Sequence, residues 1–125
     1  MGRAIRILLV DDDHFVRKLV QQQLTAQGYE VQAENNAADA LAALESRSFD
    51  LLITDIVMPG RDGCKLIRAL RGAGHTLPVI AMTGGVENAV GDCASYAEMF
   101  ADLTLIKPIP QADLIEAVKG TLGGA

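Results

Sequence analysis

Leu51-Leu52-Ile53-Thr54-Asp55-Ile56-Val57-Met58-Pro59-Gly60-Arg61-Asp62-Gly63 runs a mostly apolar segment into a single carboxylate, Asp55, and then into a loop rich in Pro and Gly. A short apolar run bounded by turn signals predicts a buried strand. An ionised carboxylate at the end of such a strand is poorly solvated unless a cation or a hydrogen-bond donor meets it. Asp55 therefore either caps a neighbouring helix or belongs to a site.

Outward from this segment, the same pattern recurs on both sides. Upstream, Arg6-Ile7-Leu8-Leu9-Val10 is a predicted strand ending at Asp11-Asp12-Asp13. His14 to Gln27 follows as a helix, with Phe15, Val16, Leu19, Val20 and Leu24 on one face and Gly28 as its stop. Glu30-Val31-Gln32-Ala33 is a second, less apolar strand, suited to a sheet edge. Asn36, with Asp39 three residues on, caps a second helix whose stripe is Ala40, Leu41 and Leu44.

Downstream, Cys64 to Arg71 is a third helix that buries Leu66, Ile67 and Leu70. Pro78-Val79-Ile80-Ala81-Met82 is a fourth strand, and a weak helix is predicted from Val86 to Glu98, interrupted by Gly91. Leu103-Thr104-Leu105-Ile106 is a fifth strand. Pro110 opens a last helix that carries Leu114, Ile115, Val118 and Leu122.

Five strands that alternate with five helices predict an α/β fold: a parallel sheet covered on both faces. Five such units fit the doubly wound, flavodoxin-like strand order 2-1-3-4-5. With 125 residues, half of them hydrophobic, the chain is expected to form one domain with its core from about residue 5 to 122. Trp is absent and Phe and Tyr total five, so the core is aliphatic.

The formal net charge of −5, without a basic block, argues against direct nucleic-acid binding. No apolar run approaches the roughly 18 residues of a membrane span, and no signal sequence is visible, so a cytoplasmic protein without membrane contact is expected. Cys64 and Cys93 lack metal-ligand spacing and are expected to be reduced, small, buried or half-buried residues.

In open parallel sheets, ligands bind beyond the carboxyl ends of the strands, at the switch point between strands one and three. The predicted strand ends deliver Asp11, Asp12 and Asp13, then Asp55, Thr83 and Lys107-Pro108. Crowded carboxylates repel unless a cation neutralises them. An all-oxygen ligand set with room for water suits Mg²⁺. Carboxylates, a hydroxyl and an ammonium are what phosphoryl transfer needs, since its transition state spreads negative charge over several oxygens. An Asp can itself hold the phosphoryl group.

Five motifs in order, Ile7-Leu8-Leu9-Val10-Asp11-Asp12-Asp13, Asp50-Leu51-Leu52-Ile53-Thr54-Asp55, Met58-Pro59-Gly60-Arg61-Asp62-Gly63, Ala81-Met82-Thr83-Gly84 and Lys107-Pro108, resemble the response-regulator receiver domain of two-component signalling. The resemblance implies that Asp55 is the phosphorylated nucleophile. It implies that Asp11, Asp12, Asp55 and the Val57 carbonyl hold Mg²⁺, that Thr83 is the switch hydroxyl, and that Lys107 pairs with a phosphoryl oxygen. A cis Lys107-Pro108 bond follows from the same resemblance, and Asp13 is left to face outward or cap the first helix.

The implied partners are a histidine kinase or histidine phosphotransfer protein as donor. A downstream protein target would bind the face made by the fourth predicted helix, the fifth strand and the last helix. The implied protein is a single-domain response regulator: a switch with self-catalysed phosphotransfer and autodephosphorylation rather than a turnover enzyme. A longer parent chain remains compatible with the sequence.

Two departures from the family pattern stand out. Thr104 occupies a position where the family usually has an aromatic residue, and Met99-Phe100-Ala101-Asp102 alters the pattern before it. They favour an alternative reading as a degenerate receiver, either a phosphate sink or a non-switching binding module. A small phosphatase is a further alternative, from the Asp-x-Asp of Asp11 and Asp13, but Phe15 stands where that family expects Thr or Val. The plain readings are a helix cap for the acidic run, a solvated face for Arg61, Arg68 and Arg71, and no metal role for His14 or His75.

Overall fold

A computed structural model describes residues 4–56, 62–84 and 101–123. In chain order its elements are β1 (Arg6–Val10), α1 (His14–Thr25), β2 (Glu30–Glu34), α2 (Ala37–Ser46), β3 (Leu51–Asp55), α3 (Asp62–Gly72), β4 (Val79–Thr83), β5 (Leu103–Ile106) and α4 (Gln111–Thr121). The strands form one parallel sheet in the order β2-β1-β3-β4-β5. This is the doubly wound arrangement that the alternation predicts. The helix expected over Val86 to Glu98, and the loop from Val57 to Arg61, lie outside the described residues.

The apolar runs explain why these segments pair. β1, β3 and β4 are buried on both faces, so nearly every residue in them must be hydrophobic. Side chains alternate across the sheet. Leu8, Val10, Leu52, Val79 and Ala81 pack with Ala40, Ala43, Leu66, Ile67 and Leu70 beneath α2 and α3. Ile7, Leu9, Leu51, Ile53, Ile80 and Met82 pack with Val20, Leu24, Leu114 and Val118 beneath α1 and α4. β2 lies at an edge and is only partly buried, as its composition predicts.

Helix starts follow local chemistry. Asp13 caps α1: its Oδ1 accepts from the amides of Phe15 and Val16 at 2.9 and 3.1 Å. Asn36 caps α2 by accepting from Asp39 N at 2.8 Å, and its own amide donates to the Asp39 carboxylate at 2.9 Å. Gly28 ends the α1 connection at φ +93°, a conformation in which a Cβ is strained.

The structure departs from the sequence reading in three places. Phe15 is 75 % exposed and Leu19 is also exposed, so of the predicted α1 stripe Val20 and Leu24 are buried in the core and Val16 packs against its margin. In α2 the buried residues are Ala37, Ala40 and Ala43, with Leu41 and Leu44 packed at the margin. A close helix–sheet contact favours small side chains on the inner line and pushes the leucines outward. Cys64 is buried and disulfide-bonded rather than reduced. The chain's other cysteine, Cys93, lies outside the described residues.

Candidate functional site

Asp55 is the last residue of β3, a central strand, and its neighbours hold its backbone from several directions. It pairs in register with Met82 of β4. Thr54 Oγ1 donates to the Asp55 carbonyl at 3.0 Å, and Ile56 N donates to Met82 O at 2.9 Å. The start of α3 presses on the same point. A Cβ on Gly63 would overlap the Asp55 carbonyl oxygen and Ile56 Cα, so only glycine lets the helix come this close. Asp55 itself is 5 % exposed.

Asp11 lies one residue past β1 and is fully buried. Its Oδ1 accepts from Asp13 N at 2.9 Å, its Oδ2 from Lys107 Nζ at 2.9 Å, and its carbonyl from Arg17 Nη1 at 2.7 Å. Asp12 is exposed, yet one carboxylate oxygen from each of Asp11, Asp12 and Asp55 lies within 4.8 Å of the others. Three hard oxygen donors so close suit a small divalent cation such as Mg²⁺. The Val57 carbonyl, expected to complete that set, lies outside the described residues.

Lys107 follows β5 and is joined to Pro108 by a cis peptide bond, as the resemblance implies. Its Nζ lies 2.9 Å from Asp11 Oδ2 and 3.2 Å from Asp55 Oδ2. Burial is the largest single influence on its pKa and acts downward. The hydrogen bond to Asp11, with the attraction of Asp55 and Asp11, outweighs it and holds the ammonium above its ordinary value of 10.5. Lys107 N also donates to Thr83 O at 2.7 Å, which ties the end of β4 to the β5 exit.

Thr83 ends β4 and is 7 % exposed. Its Oγ1 is buried without a hydrogen-bond partner among the described residues. A buried hydroxyl in that condition loses about 1–3 kcal/mol of hydrogen bonding, and an incoming oxygen would restore it. Asp13 is occupied as the α1 cap. His14 faces Arg17, with Nδ1 3.1 Å from Nη2, and is not in the acidic cluster. The structure thus brings together Asp11, Asp12, Asp55 and Lys107, and sets Thr83 on the adjoining strand.

The response regulator receiver domain family model matches residues 7–119. The chain belongs to that family. The receiver is 37 % identical to the transcriptional regulatory protein PcoR of Escherichia coli over 117 residues, which cover 94 % of this chain and 51 % of that protein. It is 33 % identical to the response regulator MprA of Mycobacterium tuberculosis over 119 residues, covering 95 % and 51 %. The receiver spans about half the length of these curated relatives.

Among solved structures, it is similar to a CheY-like receiver domain protein of Methanospirillum hungatei. That match has TM-score 0.87 and 30 % identity, covering 98 % of this chain and 96 % of that one. A signal receiver domain of an HD domain-containing protein from Pseudomonas fluorescens matches at TM-score 0.86 and 26 % identity, covering 99 % and 90 %. Two-component signalling is the context of the family, and its receivers act as signalling switches. No helix among the described residues is long and apolar enough to cross a membrane.

Two features of the site have little trace in the sequence. The close approach at Gly63 reads in the chain only as an Asp-Gly helix start. Arg17 is one basic residue among polar helix neighbours, and only its place one turn after Asp13 hints at a contact with the β1 exit.

Proposed function

We propose that this receiver takes a phosphoryl group onto Asp55 from a phosphohistidine of a histidine kinase or histidine phosphotransfer protein. One observation carries the reading: Lys107 Nζ bonds both Asp11 and Asp55, 96 and 52 residues away in the chain, beside three converging carboxylates. Asp11, Asp12, Asp55 and the Val57 carbonyl would hold Mg²⁺, which would neutralise charge on the transferring oxygens.

Asp55 Oδ attacks phosphorus in line with the departing imidazole nitrogen. The P–N bond breaks and its electron pair returns to the ring, which takes up a proton. Lys107 and Thr83 then meet the phosphoryl oxygens, the first as a fixed charge and the second as a donor. Hydrolysis reverses the modification: water attacks phosphorus, and the carboxylate leaves.

A groove of about 430 Å³ supports docking of the donor beside this site. Phe15, Val16 and Leu19 of α1 line it, together with Met82, Lys107 and Ile109. Exposed Phe15 and Leu19 are an apolar surface suited to a donor helix. The protein acts as a cytoplasmic switch, with one receiver domain whose core runs from about residue 5 to 122. Its phosphorylation changes a surface that includes β5, α4 and the segment predicted as helix over Val86 to Glu98. Output from the receiver passes through a protein contact.

The test is incubation with a phosphorylated histidine kinase, or with acetyl phosphate, plus Mg²⁺, read by intact mass. The expected result is one phosphoryl group on the wild type and none on Asp55→Asn or without divalent metal. An Asp55→Asn protein that is labelled equally overturns the assignment.

A second reading, a phosphate sink or non-switching module, draws on half-buried Thr104, where β5 has no aromatic side chain to move with Thr83. Amide shifts of β5 and α4 that stay unchanged after Asp55 is phosphorylated would favour it.

A further inference from the structure

We propose that Arg17 is a positioning residue for the cation-binding loop, acting through the backbone of Asp11; this rests on the phosphoacceptor reading above. The problem it solves lies at the end of β1. Both ladders that hold β1 stop at Val10, which pairs with Glu34 on one side and Thr54 on the other. Asp11 still donates its amide to Glu34 O at 3.2 Å, but its carbonyl has passed the sheet and has no strand to meet. A buried carbonyl left alone costs stability, and it leaves the peptide between Asp11 and Asp12 free to turn.

Arg17 closes that gap. Its Nη1 donates to Asp11 O at 2.7 Å, a short charge-assisted bond, while Nη2 lies 3.1 Å from His14 Nδ1. The same residue's amide donates to Asp13 O at 2.9 Å, so one helical turn grips the loop from both its backbone and its side chain. Asp13 N bonding to Asp11 Oδ1 completes the clasp.

Of the three acids, Asp12 depends most on this arrangement. It is exposed, and nothing in the sheet orients it, yet its carboxylate must converge with two buried ones. The fixed charge of Arg17 also offsets repulsion among three carboxylates without taking an oxygen from the cation, because it bonds a carbonyl rather than a carboxylate. A lysine would keep the charge but lose the two-pronged geometry.

The experiment is a Mg²⁺ titration of the whole domain followed by amide chemical shifts, on wild type, Arg17→Lys and Arg17→Ala. Thermal unfolding and acetyl phosphate kinetics are measured on the same samples. Both variants are expected to bind Mg²⁺ about tenfold more weakly, as is usual when the support of a metal ligand is removed. They remain folded, and their phosphorylation rate at saturating Mg²⁺ returns close to that of wild type.

Mg²⁺ affinity within twofold of wild type in both variants overturns the proposal. So does full rescue by Arg17→Lys, which would make the effect one of charge alone. If a variant unfolds, Arg17→Met, which keeps the apolar stem and removes the donors to Asp11 O, is titrated in its place, and unchanged affinity there overturns the proposal. A wild-type domain that binds no Mg²⁺ overturns the underlying reading instead, so the two failures are distinct.

Discussion

Lys107 is the counter-charge of an acidic pocket, and its loss should be felt before any chemistry is measured. In Lys107→Ala, Asp11 and Asp55 keep their burial and lose their ammonium. The metal-free domain is expected to lose about 1–3 kcal/mol, the cost of stranding a buried polar partner. Adding Mg²⁺ should recover more stability in the variant than in wild type, as urea unfolding with and without metal would register.

The raised pKa of Lys107 sets a second expectation. A group whose folded pKa lies above its unfolded value stabilises fully below the unfolded value. Its contribution is therefore complete below pH 10.5 and is lost as pH climbs through the folded value. Unfolding curves from pH 8 to 11 should show that alkaline loss in wild type and not in Lys107→Met. At this scale much of the site is legible in the chain. Asp11, Asp55, Thr83 and Lys107 each end an apolar run, and ends of parallel strands converge. Arg17 is not legible, because its role is a contact with a carbonyl, which every residue carries.

At the scale of elements, the meeting of α3 with the end of β3 is the most demanding contact. Gly63→Ala must move either the helix start or the Asp55 backbone, since the added methyl would meet backbone rather than a flexible side chain. The expected cost is about 1–3 kcal/mol of stability, in the range of overpacked sites. Slower phosphorylation by acetyl phosphate should accompany it, and thermal unfolding and intact mass check the two effects separately.

The exposed end of α1 should behave in the opposite way. Phe15→Ser removes a side chain that the core does not use, so stability should change by no more than about 0.5 kcal/mol. Transfer from a phosphorylated histidine kinase should slow while labelling by acetyl phosphate stays the same. Periodicity had placed Phe15 on the buried stripe. A 3.6-residue repeat identifies an apolar face, but it does not say which part of that face the sheet covers: Val16 packs on the core while Phe15 and Leu19 on its flank do not.

At the scale of the whole molecule, three carboxylates and one ammonium share one pocket among the described residues, and the balance favours a divalent ion. Mg²⁺ at a hundredfold excess over its Kd should stabilise the fold by about 2.7 kcal/mol, visible as a rise in Tm. Asp12→Ala should abolish most of that rise. Alternation predicts the parallel sheet, since parallel strands require helical crossovers, while the strand order comes from a fit to the flavodoxin-like arrangement and agrees with the one observed. Other contacts were not readable: the Cys64 disulfide depends on which residues the fold brings together, and spacing along the chain carries no sign of it.

The bond from Lys107 to Asp11 joins residues 96 apart in a polypeptide of 125. A chain emerging from the ribosome therefore carries Asp11, Asp12 and Asp55 well before Lys107 is synthesised. A fragment clipped ahead of residue 107 is in the same position, with the three carboxylates present and their neutralising arm missing. On the phosphoacceptor reading, the charge balance of the pocket is completed only once the exit of β5 has been made.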